Sequence, residues 1–170
     1  MEILIQSIGK VENEVLIMLE KSLKEIFDIK CSISEDVLKV PELSYNPSRD
    51  QYHSTEILYF MIDTMKVDFN HIICVTEVDL YAARLNFVLG EAEYPGNFAI
   101  ISLHRLKSPN RDLFLKRVVT EAVHELGHTF GLPHCGNHLC VMHFSNSVVE
   151  TDIKGPGFCK DCLSKLKPSI

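Results

Sequence analysis

His124-Glu125-Leu126-Gly127-His128-Thr129-Phe130-Gly131-Leu132-Pro133-His134 is the stretch from which the rest of the chain is read. On a helix, His124 and His128 leave the same face one turn apart. Two neutral imidazoles so placed can hold one Zn²⁺ at roughly 2.0–2.1 Å per bond. Glu125 is rotated by about 100° from His124, close to the metal but off the ligand face, which suits a base acting on a water. Gly131 lets the chain leave the helix, and Pro133 prevents it from resuming. That bend can bring His134 back as a third ligand. Three ligands with the fourth position open describe a catalytic zinc.

Composition bounds the remaining choices. The chain has 170 residues, 46% hydrophobic and 24% charged, enough for one soluble-type domain with a core or a domain plus a small annex. A net charge of −6 gives no basic footprint for nucleic acid or an anionic membrane, so neither is expected as a partner. The first residues, Met1 to Gly9, carry no basic region and too short an apolar run for a signal peptide. No run reaches the roughly 18 apolar residues of a membrane span. A cytoplasmic protein is expected. Four of the six cysteines form Cys135-x4-Cys140 and Cys159-x-x-Cys162, which in a reducing compartment reads better as metal ligation than as disulfides. Two buried pairs or a redox Cys-x-x-Cys remain open alternatives; the paired spacing favours a structural Zn²⁺ closed by four thiolates.

Outward from these motifs, strands and helices alternate. Residues 2–8 read as a buried strand, 11–27 as an amphipathic helix, and 29–34 as a second strand. Residues 36–53, with Pro41 and Pro47, read as an irregular connection. Ser54 is expected to cap a helix through about Met65, and His71 to Thr76 to form a third strand. The stretch 80–90 and the strand 98–103 flank a Pro95-Gly96 turn and can pair antiparallel. An edge strand there would offer unpaired backbone groups to an extended peptide. Ser108-Pro109 is expected to open the main helix, whose Phe114, Val118, Ala122, Leu126 and Phe130 face the core. Beyond His134, glycines and prolines break the chain and few large apolar residues remain, so the segment needs a staple.

The run His-Glu-x-x-His-x-x-Gly-x-x-His followed by a methionine resembles the metzincin clan of zinc peptidases. Cys135 directly after the third histidine, then Cys140-Val141-Met142 and Cys159-Lys160-Asp161-Cys162, is similar to the archaemetzincins, small peptidases with a second, four-cysteine zinc site. Asp79-Leu80-Tyr81 and Leu85-Asn86-Phe87-Val88 also resemble that family. The resemblance implies an α/β (α+β), zincin-like fold: a twisted mixed sheet with backing helices, an active-site helix and a small zinc-stapled C-terminal subdomain. Residues 1–134 would form the N-terminal subdomain and residues 135–170 the C-terminal one. It further implies two Zn²⁺ per chain, with His124, His128 and His134 at a catalytic ion and Cys135, Cys140, Cys159 and Cys162 at a structural one. Glu125 would be the catalytic base, and Met142 an apolar floor beneath the metal. The chain opens directly on the catalytic domain, so no propeptide is expected.

The expected function is zinc-dependent hydrolysis of peptide bonds in short or unfolded peptides, by a monomer. A peptide-binding module with little turnover is the alternative, against which Glu125 argues, because a module has no use for a base. Hydrolysis of a non-peptide amide is chemically allowed by the same site. His53, His71, His104, His138 and His143 are expected as surface or hydrogen-bonded residues, with His138 and His143 able to line the cleft. Cys31 and Cys74 read as small buried apolar residues, with a disulfide between them left open. Tyr81, Arg84 and Asn86 are candidates for substrate contact from the edge strand, although packing and solvation explain them equally well.

Overall fold

A computed structural model describes residues 1–65 and 69–166. Its elements run β1 (Glu2–Ile8), α1 (Asn13–Phe27), β2 (Lys30–Leu38), β3 (Tyr45–Asn46), β4 (Gln51–His53), α2 (Ser54–Thr64), β5 (His71–Thr76), β6 (Leu80–Tyr81), β7 (Gly90–Ala92), β8 (Phe98–Ser102), α3 (Arg111–Thr129), α4 (Val148–Lys154) and α5 (Lys160–Leu166). The main sheet has the order β2-β1-β5-β8-β7, with β7 alone antiparallel. Parallel inner strands need cover on both faces. Successive side chains alternate accordingly: Ile73 and Val75 of β5 join a core with α1 and α3, while Ile72 and Cys74 join one with α2. Cys31 belongs to the first core and Cys74 to the second, and both are free thiols, so no disulfide joins them.

The strand at 29–34 extends to Leu38, and its register slips against β1 between Ile5↔Ile33 and Ser7↔Val37. Gln6 fills the slip by donating its amide to the Asp36 carbonyl at 2.7 Å, so the polar run at 34–36 stays within the strand. The supposedly irregular stretch 36–53 contains β3 and β4, which with β6 make a small second sheet. Ser54 does not cap α2. It is fully buried, and its hydroxyl lies between the Tyr81 carbonyl and the Glu91 carboxylate. Pro109 likewise precedes α3 without opening it, because Asn110 caps the helix by accepting from the Leu113 N–H at 3.1 Å. Phe114, Val118, Ala122, Leu126 and Phe130 are all buried as their spacing requires. β7 pairs with β8 across the turn at 93–97 and ends the sheet beside α3. Arg117 grips Asp152 through two bonds of 2.7 and 2.8 Å, tying α4 to α3. No helix among the described residues is long and apolar enough to cross a membrane.

Candidate metal centre

The last turns of α3 carry His124, Glu125 and His128. Gly131 then takes φ +83°, a left-handed value open to glycine, and the chain reverses with the Leu132 N–H on the Gly127 carbonyl at 2.9 Å. The reversal places His134 Nε2 at 3.2 Å from His128 Nε2, which is itself 3.3 Å from His124 Nε2. His124 Nδ1 lies 2.7 Å from the Val141 carbonyl and His128 Nδ1 lies 2.8 Å from the Leu132 carbonyl. A carbonyl only accepts, so each Nδ1 carries the proton and each Nε2 presents a lone pair. Lone pairs facing one another at these distances repel unless a cation sits among them. Tetrahedral zinc with bonds of roughly 2.0–2.1 Å has ligand–ligand edges of about 3.3 Å. The donor set therefore fits zinc. Burial lowers the pKa of all three histidines, that of His124 furthest, keeping them neutral as ligands must be.

Glu125 is buried beside this cluster in a cleft of about 520 Å³, walled on the other side by residues 82–92. It packs against Gly90 of β7, where a Cβ would lie only 2.6 Å from its Cγ. Burial and then the neighbouring Glu121 charge raise its pKa well above the usual carboxylate range. Two further cleft residues escaped the sequence reading. Glu121, one turn before Glu125 on the same helix face, is buried, and its Oε2 has no hydrogen-bond partner among the described residues. Its spacing of four from Glu125 was the available signal. Lys154, at the end of α4, is buried with Nζ donating to the His143 carbonyl at 2.8 Å and lying 3.2 Å from His124 Nδ1. Burial lowers its pKa, and Glu121 and Glu125 oppose that shift. Nothing in the sequence pointed to it.

Met142 is fully buried against Gly127, where a Cβ would come within 2.3 Å of its sulfur. The glycine inside the helix thus has a packing reason. Cys135, Cys140, Cys159 and Cys162 form a second cluster whose sulfurs all lie within 4.8 Å of one another. Cys135 and Cys159 are 3.9 Å apart, far beyond a covalent S–S bond of about 2.05 Å and close to the roughly 3.8 Å edge of a zinc tetrathiolate. The backbone N–H of Cys162 favours the Cys159 thiolate, lowering its pKa, while burial raises that of Cys140 and Cys162. The turn 140–143 touches both clusters. The Cys135 N–H donates to the Met142 carbonyl at 2.9 Å, and His143 Nδ1 lies 2.9 Å from the Cys135 carbonyl.

The remaining candidates stand apart. His53 packs edge-on to Tyr81, His71 meets Thr129, and His104 and His138 are exposed. Neither His138 nor His143 lines the cleft. Asn86 does, whereas Tyr81 and Arg84 do not; the Tyr81 hydroxyl instead accepts from Asn46 at 3.2 Å. A half-buried edge strand beside a helix bearing His-Glu-x-x-His, with a third histidine returned to the same point, defines the class: a zinc metallopeptidase.

Comparison with known proteins narrows that class. The profile of Peptidase family M54 matches residues 7–168. Archaemetzincin of Methanocaldococcus jannaschii is 44% identical over 98% of this chain and 93% of its own length. Archaemetzincin of Archaeoglobus fulgidus is 44% identical over 98% of this chain and 99% of its own. The crystal structure of archaemetzincin from Methanopyrus kandleri superposes with a TM-score of 0.92 at 36% identity, covering 99% of this chain and 94% of that one. The Archaeoglobus fulgidus structure, complexed with malonate, gives 0.88 at 42% identity over 97% and 99%. The chain belongs to the archaemetzincin family, peptidase family M54, and is a zinc metallopeptidase.

Proposed function

We propose that His124, His128 and His134 hold the catalytic zinc and that Glu125 is the base, with an extended peptide lying along β7 as substrate. The observation carrying this reading is the convergence of three Nε2 atoms at 3.2–3.3 Å beside a buried carboxylate. When bound, zinc supplies a Lewis acid that acidifies water and stabilises charge on a carbonyl oxygen. Glu125 takes a proton from the attacking water and delivers it to the leaving amine. β7 orients the peptide. The Leu89 carbonyl and Glu93 N–H bond to β8 at 2.8 and 2.9 Å, and Glu91 pairs with Ile100 between them. By antiparallel alternation the N–H and C=O groups of Gly90 and Ala92 point away from β8, towards a peptide strand.

In the same reading Cys135, Cys140, Cys159 and Cys162 bind a second, structural zinc, giving two ions per chain. Residues 135–170 act as a C-terminal subdomain stapled by it, and Met142 serves as an apolar floor. The chain is taken to work as a monomer in this reading. Free thiols at all six cysteines suit a reducing, cytoplasmic setting. The substrates in this reading are short or unfolded peptides.

The test is to count zinc in wild type and Glu125→Ala and to expose both to a mixed peptide library read by mass spectrometry. Two zincs in each with cleavage by wild type alone is the expected result. Two zincs with no cleavage by either would move the assignment to a peptide-binding module.

A further inference from the structure

One wall of the cleft, residues 82–92, is a strand only at its end. β7 is laddered to β8, and Val88 bridges to Leu80, but residues 82–87 belong to no strand. Such a segment has its backbone groups to satisfy and no ladder to do so. Side chains from the second sheet do it instead. Gln51, at the start of β4 and only 5% exposed, donates its amide to the Asn86 carbonyl at 3.0 Å and to Asp79 Oδ2 at 2.9 Å. Its own oxygen accepts from Arg49 Nε at 2.9 Å. Arg49 Nη2 in turn donates to the Leu85 and Asn86 carbonyls at 3.0 and 2.8 Å.

Asp79 is fixed in its place by Arg105, through two bonds of 2.7 Å. The Arg105 guanidinium also covers the Phe87 ring at 4.3 Å, and Phe87 lines the cleft. Every polar atom of the Gln51 amide is thereby used, and a flipped amide would set its oxygen against a carbonyl and a carboxylate. Gln51 is the hub: it touches the wall, the acid that Arg105 anchors, and the arginine that grips the wall a second time. None of these four residues lines the cleft.

We propose that Gln51, with Arg49, Asp79 and Arg105, is a positioning residue for peptide binding. It holds the unladdered wall at 85–87 so that the cleft is preformed and Gly90 and Ala92 stand in register for an extended peptide. The proposal rests on the reading of the cleft as a peptide site. It acts through the wall and not on the metal centre, so it touches affinity and leaves chemistry alone.

The experiment uses the zinc-loaded full chain and three variants: Gln51→Met, which keeps length and removes both donors, Arg49→Met, and Arg49→Lys, which keeps charge but loses the fork. Hydrogen exchange of the amides at 82–90 should quicken about tenfold in Gln51→Met, the scale of one buried hydrogen bond, with those of α3 unchanged. On a cleaved peptide, KM should rise by roughly tenfold with kcat within about threefold, and Arg49→Lys should fall between wild type and Arg49→Met. Peptide affinity measured in a Glu125→Gln background should weaken by the same factor, which gives a readout without turnover. An unchanged KM and affinity in Gln51→Met, or a loss confined to kcat and zinc content, overturns the proposal. A zinc-loaded wild type that binds peptides but cleaves none would sink the peptidase mechanism and still leave Gln51 judged by the affinities. One that binds no peptide overturns both.

Discussion

The two donor clusters lie side by side and are built in opposite ways. His124 and His128 ride on α3, a helix whose inner face is set in the main core by Val118, Ala122 and Leu126. Their rings are aimed by protein carbonyls, so the fold itself orients two of the three donors. The four cysteines come from a loop, a turn and the start of α5, in a segment with no strand among its described residues. The sulfurs are carried by irregular chain, although Cys140 and Cys162 are buried in the main core and Cys135 and Cys159 pack against it. The comparison teaches that regular elements of the fold carry one site and irregular chain the other.

The sharpest way to break that contrast is to remove one sulfur. Cys162→Ser should release the second zinc and unfold much of the segment beyond Cys135, with a loss of at least several kcal/mol, since structural zinc binding is itself folding free energy. The damage should spread, because the turn 140–143 joins Cys135 to the carbonyl that aims His124. Metal analysis and thermal unfolding are the measurements, and the expected count is below one zinc per chain. Retention of one full zinc with unchanged activity would show the clusters to be independent.

Glu125→Gln attacks the other side. A preformed histidine cluster should keep its zinc and its melting temperature, while kcat falls by roughly 10²–10⁴, the range for loss of a general base. Zinc content measured beside kcat is the check, and parallel loss of both would mean that the carboxylate shapes the site.

This asymmetry also governs what the sequence disclosed. The helix motif is local: residues at spacings of one, four and ten reach one point because α-helical geometry and a glycine reversal are short-range rules, so His124, Glu125, His128 and His134 could be read directly. The paired cysteines were legible for a similar reason, each pair lying within one turn. The strands at 2–8 and 71–76 were legible from continuous apolar runs, whereas β3, β4 and β6 are too short to carry a period. Ser54 was misread as a cap because its partners, Tyr81 and Glu91, lie far along the chain. Lys154 and Gln51 were invisible on the same ground, since a lone polar residue gains meaning only from what tertiary packing sets against it.

Gly127 sits where the two constructions meet. On an isolated helix, Gly127→Ala would gain about 1 kcal/mol of helix propensity. Here the added Cβ would lie 2.3 Å from the sulfur of the fully buried Met142, whose backbone belongs to the turn that Cys135 and His124 both use. Overpacking of this kind costs typically 1–3 kcal/mol, so the net change should be a destabilisation of up to about 2 kcal/mol, read from urea unfolding. Weakened affinity for both zincs in that variant would show the turn to be the shared element; an increase in stability would show the floor to be pliable.

His71 supplies the reference against which these effects are measured, because it lies on β5 at the far side of α3 and outside both clusters. Its Nδ1 is 2.9 Å from Thr129 Oγ1, whose own proton goes to the Leu126 carbonyl, so the histidine donates and is neutral. Its ring lies 3.8 Å from that of Phe130, and burial pulls its pKa from 6.5 down to about 4. Above pH 6.5 the group contributes nothing to pH dependence, since it is neutral folded or unfolded. Between 6.5 and about 4 the unfolded chain takes up a proton that the folded chain refuses, so stability falls by up to about 1.4 kcal/mol per pH unit. Below about 4 both forms are protonated and the loss levels off. Acid also strips zinc, in wild type and variant alike, so the informative quantity is the difference between wild type and His71→Asn, which keeps a donor for Thr129 but does not titrate. Urea midpoints from pH 7 to 4.5 should converge, the wild type losing its lead by about 2 kcal/mol as pH falls. Parallel curves would mean that α3 loosens around His71 before it titrates, and that the helix carrying the histidine cluster is less rigid than its core packing indicates.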